Sequence, residues 1–244
     1  MKSPEAKNQR LQCRLNINNA IASVFGDIEH VAQEFERLWS KKVGPGRSPA
    51  SADLKLLRVV ADKLLVDNNR WMLGTGVVLE PGVLSDCDMY CEWRHLVGEG
   101  RPAQLDLNFN RGSDSYYNYR EMPWFTRPRD LGTTTIEGPY IDLYGQDAYI
   151  LTFARPLHVD GDFIGVAGAD VDLGRFERAL TPSLLALEHQ AILLNEEGRV
   201  VASNTSDWLP GERMRDSADF ETVVTSLGEQ YTQWSLLEYT SVAM

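Results

Sequence analysis

From Leu11 to Lys42 the apolar residues Ile17, Ile21, Val24, Ile28, Val31, Phe35 and Leu38 recur at alternating spacings of four and three. That spacing is the seam of one long helix. "KKVGPGRSPASAD" ends it with Gly and Pro, and a second helical pattern follows with Ser51 as N-cap and Leu54, Leu57, Val60, Leu64 and Leu65 on one face. The pattern predicts two antiparallel helices. The seam of the first is covered either by the second helix or by the same helix of another copy in a parallel dimer.

After Trp71 the period shortens. "MLGTGVVLEPG", "MYCEWRHLV", "AQLDLNF", "DAYILTFARPLHV" and "DFIGVAGADVDL" read as β-strands. The last two are joined by Asp160-Gly161, a strong local hairpin signal. Between the third and fourth lies a long irregular, aromatic-rich segment, and loops of that length are usually functional. "GRFERALTPSLLALEH" returns to helical spacing, with Thr181-Pro182 as an N-cap and first turn inside it. A hairpin in "QAILLNEEGRVVASN", a loop and helix over "DWLPGERMRDSADFETVVTSL" and a last strand in "QYTQWSLLEYTSVAM" complete the chain.

The expected organisation is a helical region over 1–70, a sheet module over 71–185 and a smaller module over 186–244. The fold class is α/β of the α+β kind. The last module is small and stops on an apolar strand, so the native protein is expected to continue beyond it.

Charge and composition narrow the function. Twenty-four Lys and Arg against 35 Asp and Glu give a net charge of −11, which repels nucleic-acid phosphates and anionic lipid. Cys13, Cys87 and Cys91 form no CxxC pair and read as free thiols. His30, His95, His158 and His189 lack metal-ligand spacing. No nucleophile elbow, P-loop or complete dinucleotide-binding glycine motif is present, so no cofactor, metal or catalytic residue is expected. No apolar run is long enough for a membrane helix, and the polar start "MKSPEAKNQR" favours a cytoplasmic protein over an excised extracytoplasmic sensor fragment.

The chemistry of interest is in the hairpin. If Asp160-Gly161 is a two-residue turn, Val159 pairs with Asp162 and Asp170 falls opposite Leu151, at the end of a face carrying Phe153, Leu157, Ile164 and Val166. A buried carboxylate needs a partner, a proton or a cationic ligand. An arginine is one such partner, with Arg155, Arg120, Arg127 and Arg129 as candidates. Tyr116, Tyr117, Tyr119, Trp124, Phe125 and Tyr140 precede the hairpin together with Asp142, and aromatic faces beside carboxylates suit a cationic amine. A rival reading makes Asp142 and Asp170 an acid/base pair beside His158. A third makes the chain a structural dimerisation module.

The order of a Tyr-rich segment, "PWF", a Gly-Thr stretch, "GPYID", "YILTFARPL", an Asp-Gly turn and "FIGVAGADV" resembles the double Cache family, the PAS-like ligand-binding module of bacterial chemoreceptors and sensor kinases. The resemblance implies a small-molecule site in the first module, between the sheet and the long loop, with Trp124, Phe125, Tyr140, Asp142 and Asp170 matching the family's binding positions. Tyr117 or Tyr119 would add a lid hydroxyl. In amino-acid-binding members an Arg two residues before the Trp holds the ligand carboxylate. Met122 stands there and Arg120 lies four before Trp124, so the clamp is missing, displaced, or replaced by Arg127 or Arg129, which favours an amine. The implied function is a non-catalytic sensor of a small amine or amino acid, dimeric through its first helix, signalling to an output such as a transcription regulator or kinase.

Overall fold

The computed structural model describes residues 4–42, 48–67, 71–143, 148–214, 221–227 and 231–240. Helix α1 runs Pro4–Lys42, α2 Leu57–Asp67, α3 Pro123–Leu131 and α4 Leu173–Leu185. The strands are β1 Met72–Leu79, β2 Tyr90–Val97, β3 Arg101–Gln104, β4 Thr135–Asp142, β5 Ala148–Val159, β6 Asp162–Asp172, β7 Gln190–Leu194, β8 Val200–Ser203, β9 Glu221–Leu227 and β10 Trp234–Thr240. The chain divides into two units. One gathers 24–137 and 141–172, the other 1–23, 138–140 and 173–244. A division at 172 gives α4 to the second unit, whereas the sequence reading placed it before the boundary at 185.

Every residue of the α1 seam is buried, from Ile17 at 0% to Leu38 at 4% exposure. Burial of such a side chain contributes about 1.5–3 kcal/mol, which fixes which way the helix faces. The seam does not wait for a second copy: Phe25 meets Phe153 of β5 edge-on, with ring centroids 5.3 Å apart, and Arg155 of β5 bonds Glu29 at 3.1 Å. Nor does α2 serve mainly to cover α1. It lies on β1, β2 and β3, where Arg58 holds buried Glu92 at 2.8 Å and Asp62 accepts from Arg94 at 2.5 Å. Ser51 is no N-cap of α2. It begins a short 3-10 turn, Ser51–Leu54, and its N–H and hydroxyl both donate to Asp86, at 2.9 and 2.7 Å.

The first unit is built on a six-stranded sheet in the order β3-β2-β1-β6-β5-β4. Asp160 and Gly161 both take positive φ, 53° and 93°, as a two-residue hairpin turn of the primed type requires. Val159 pairs with Asp162 as expected, and His158 with Phe163. The register then slips: Leu157 pairs with Gly165, leaving Ile164 as an extra residue. This β-bulge uses Gly165 at φ 148°, where a Cβ would lie 2.4 Å from the Val78 carbonyl oxygen. Beyond it Asp170 is opposite Thr152, not Leu151. The expected register was one residue out because a bulge leaves little trace in an alternating pattern.

Two elements lie in the segment expected to be irregular. Pro123 starts α3 at its first turn and Gly132, at φ 67°, ends it as a left-handed C-cap. β4 follows from Thr135, at the end of a β-branched run that starts at Thr133. "AQLDLNF" is strand only as far as Gln104.

The second unit carries a four-stranded sheet in the order β8-β7-β10-β9. The expected β7–β8 hairpin is present, with a register shift at Leu193/Leu194. The helix expected near "DFETVVTSL" is instead β9, antiparallel to β10. Its Thr-Val-Val-Thr run favours strand over helix. α4 is continuous through Thr181-Pro182: Thr181 is no N-cap, and its hydroxyl donates back to Glu177 O at 2.9 Å. Phe176 and Trp234 meet edge-on at 6.4 Å within this core.

Candidate functional site

Residues paired across a sheet share a face, and the face alternates along each strand. One face of the first unit's sheet carries Glu92, Arg94, Phe153 and Arg155 and packs on the helices. The other carries the candidate chemistry. Two rows cross it. One runs His95, Gly74, Asp170, Thr152, and the next Trp93, Gly76, Gly168, Ala154.

Asp170 is 7% exposed. Its Oδ1 accepts from Thr152 Oγ1 at 2.8 Å, a pairing that the bulge makes possible. Trp93 lies over the glycines of its row: a Cβ on Gly168 would stand 3.3 Å from the indole ring. The Trp93 Nε1 hydrogen is buried and has no hydrogen-bond partner among the described residues.

Tyr117, Trp124, Asp142 and Asp170 are brought together. Burial raises the Tyr117 hydroxyl's pKa well above its usual value, and the carboxylates of Asp142 and then Asp170 raise it further. A hydrogen bond with Trp124 opposes them. Burial likewise raises the Cys91 thiol, helped by Glu92 and Asp170. Tyr140 is on β4 two residues before Asp142, hence on the same side of the strand.

His95 was not among the expected site residues. Burial and Arg94 hold its pKa below the usual histidine value, while Asp106 and Asp142 push back. The local sequence does not mark His95, because its only signal is its register with Gly74.

Other expected site residues are occupied elsewhere. The Tyr119 side chain is fully buried, its hydroxyl donating to Leu79 O at 2.7 Å and accepting from the Tyr90 N–H at 3.3 Å. Phe125 is also fully buried, among Tyr119, Trp124 and Phe163. Both are packing residues that set the position of α3. Arg127 bonds Glu137 at 3.1 Å, Arg129 bonds Asp130 at 2.8 Å and Arg120 bonds Glu80 at 3.1 Å. Met122 caps the N-terminus of α3.

Residues 62–178 match the family model described as "Methyl-accepting chemotaxis protein-like, first PDC sensor domain". The methyl-accepting chemotaxis protein TlpQ of Pseudomonas aeruginosa is 36% identical over 128 residues, covering 45% of this chain and 18% of TlpQ. The chain thus spans less than a fifth of that relative. Among solved structures, the ligand-binding domain of the P. aeruginosa amino acid chemoreceptor PctB in complex with L-Arg superposes with a TM-score of 0.62 at 17% identity, covering 97% of this chain and 86% of that one. The extracellular domain of the putative histidine kinase mmHK1S-Z3 gives 0.64 at 13% identity, with 98% and 96% covered.

These matches overturn the cytoplasmic location expected from the sequence, because they are to sensor domains of membrane chemoreceptors and to an extracellular domain. Among the described residues no helix is long and apolar enough to cross a membrane, but a chain covering so small a part of its relatives carries no information on their anchors. Residues 62–178 are thus similar to the first PDC sensor domain of methyl-accepting chemotaxis protein-like receptors, and the chain shares the fold of chemoreceptor ligand-binding domains.

Proposed function

We propose that this chain is the extracytoplasmic ligand-recognising part of a chemotaxis receptor and that it takes a small molecule bearing an ammonium group. The observation that carries the reading is the convergence of Asp142 and Asp170 on one half-buried tyrosine, Tyr117, which Trp124 also bonds. Two carboxylates beside one half-buried hydroxyl attract a cation strongly, because burial reduces the water that screens them. Trp124 and Tyr117 supply aromatic faces for the same charge. PctB is solved with L-Arg, which supports amino acids as the alternative class, but the arginines considered for a carboxylate clamp are each held by an acidic side chain.

The output we infer is that of a chemoreceptor, as in TlpQ, and not a transcription regulator. Ligand binding biases a two-state equilibrium that the receptor reads. A homodimer through α1 would use its outer face, where Leu11 and Leu15 are exposed, since the seam is buried.

Isothermal titration of the chain with primary amines and with amino acids tests the reading. Amine binding that disappears in Asp170→Asn is the expected result. Amine binding unchanged in that variant, or amino acids bound and amines not, overturns it.

A further inference from the structure

The row His95, Gly74, Asp170, Thr152 has a gap in its middle. Gly74 is directly opposite His95 on one side and Asp170 on the other, and it has no side chain to fill the space between them. A histidine and a carboxylate thus stand on the same face two strand spacings apart, about 9–10 Å. The floor between them is bare backbone. Trp93, two residues along β2, bounds the gap on the side of the neighbouring row.

We propose that His95 is the second anchor of the ligand site, binding a polar group at the end of the ligand opposite the ammonium held by Asp170. This rests on the amine reading above. With a hydrogen bond of about 2.9 Å at each end, the slot leaves about 3–4 Å between the ligand's two polar atoms. A three-carbon chain reaches that span when it folds.

The chemistry of the second group follows from what surrounds His95. The imidazole is half-buried, and burial with Arg94 beside it disfavours its charged form. A neutral imidazole both accepts and donates a hydrogen bond. The carboxylates of Asp106 and Asp142 act on the same place, so a ligand carboxylate is repelled there while a hydroxyl or a second amine is accepted. His95 therefore selects short amines with a distal donor over amino acids of the same length.

The test is calorimetric titration of the chain with propylamine, 3-aminopropan-1-ol and β-alanine, which share the three-carbon span and differ at the far end. The wild type is expected to bind 3-aminopropan-1-ol about five- to tenfold tighter than propylamine, the worth of one hydrogen bond, and β-alanine more weakly than either. His95→Ala removes the preference and leaves propylamine's affinity within about twofold. His95→Gln, which keeps a donor and an acceptor, retains part of it. A preference unchanged in His95→Ala overturns the role of His95 while leaving the ammonium site standing. A wild type that binds neither amine overturns both.

Discussion

Thr152 Oγ1 donates to Asp170 Oδ1 at 2.8 Å from the position directly paired with it across β5 and β6. Both residues are buried, at 3% and 7% exposure, so the hydroxyl replaces a water that the carboxylate would otherwise keep. Thr152→Val keeps the shape and removes the donor. It is expected to cost about 1.5–3 kcal/mol, the range for a hydrogen bond to a charged group, read as a shift of the urea midpoint at unchanged slope.

His95 predicts a pH dependence. Its pKa in the folded protein lies below the ordinary 6.5, with burial the largest cause, then Arg94, against Asp106 and Asp142. As pH falls below about 6.5 the unfolded chain takes up a proton that the folded chain resists, so stability falls through that window. Thermal melts of His95→Gln at a series of pH values should show a shallower loss than wild type below about 6.5. Parallel profiles would refute this.

The bulge glycine cannot be replaced. Gly165 has φ 148° and a Cβ there would meet the Val78 carbonyl oxygen at 2.4 Å and Leu79 Cα at 2.8 Å. Gly165→Ala combines backbone strain with a clash against main chain that no rotamer relieves. A loss of about 2–4 kcal/mol is expected, measured by denaturant unfolding. Gly161→Ala, in the turn with nothing within 4 Å, should cost only the strain of its positive φ, about 1 kcal/mol.

An Arg127 variant tests the choice between the two proposed ligand classes. Its partner Glu137 is 10% exposed at the side chain and also accepts from Thr135 at 3.0 Å. Arg127→Ala leaves that carboxylate without its cation and should destabilise the fold by about 1–3 kcal/mol. Affinity for an amine is expected to stay the same. A selective loss of amino-acid affinity would instead give Arg127 the clamp that Met122 lacks.

How much of this was visible in the sequence depends on the range of the interaction. The seam of α1, the Asp160-Gly161 turn and the two long strands beside it are patterns over a few neighbouring residues, and they were legible. α3 was hidden because its nine residues include Pro123 and Pro128, which read as loop. β9 was read as helix although its β-branched run argued otherwise. The positions of Asp142 and Asp170 followed from the family resemblance, but the partner of Asp170 did not, since one extra residue in β6 changes every pairing beyond it. Tyr119 illustrates the opposite error. An aromatic next to a site looks like a ligand contact until the backbone carbonyl of Leu79 is seen to take its proton.

That extra residue, Ile164, sets the parity of β6. With a strict two-residue turn and the same residues paired without a bulge, Asp170 would share a face with Leu151 and Phe153 and point beneath α1, and the opposite face would receive Val171 or Ala169 in its place. Closing the bulge with every residue retained would therefore move the carboxylate from the proposed recognition face to the packing face with no change in composition. In this sheet the identity of a carboxylate and the count of residues leading to it are separate inheritances, and only the first can be recognised by looking at the residue itself.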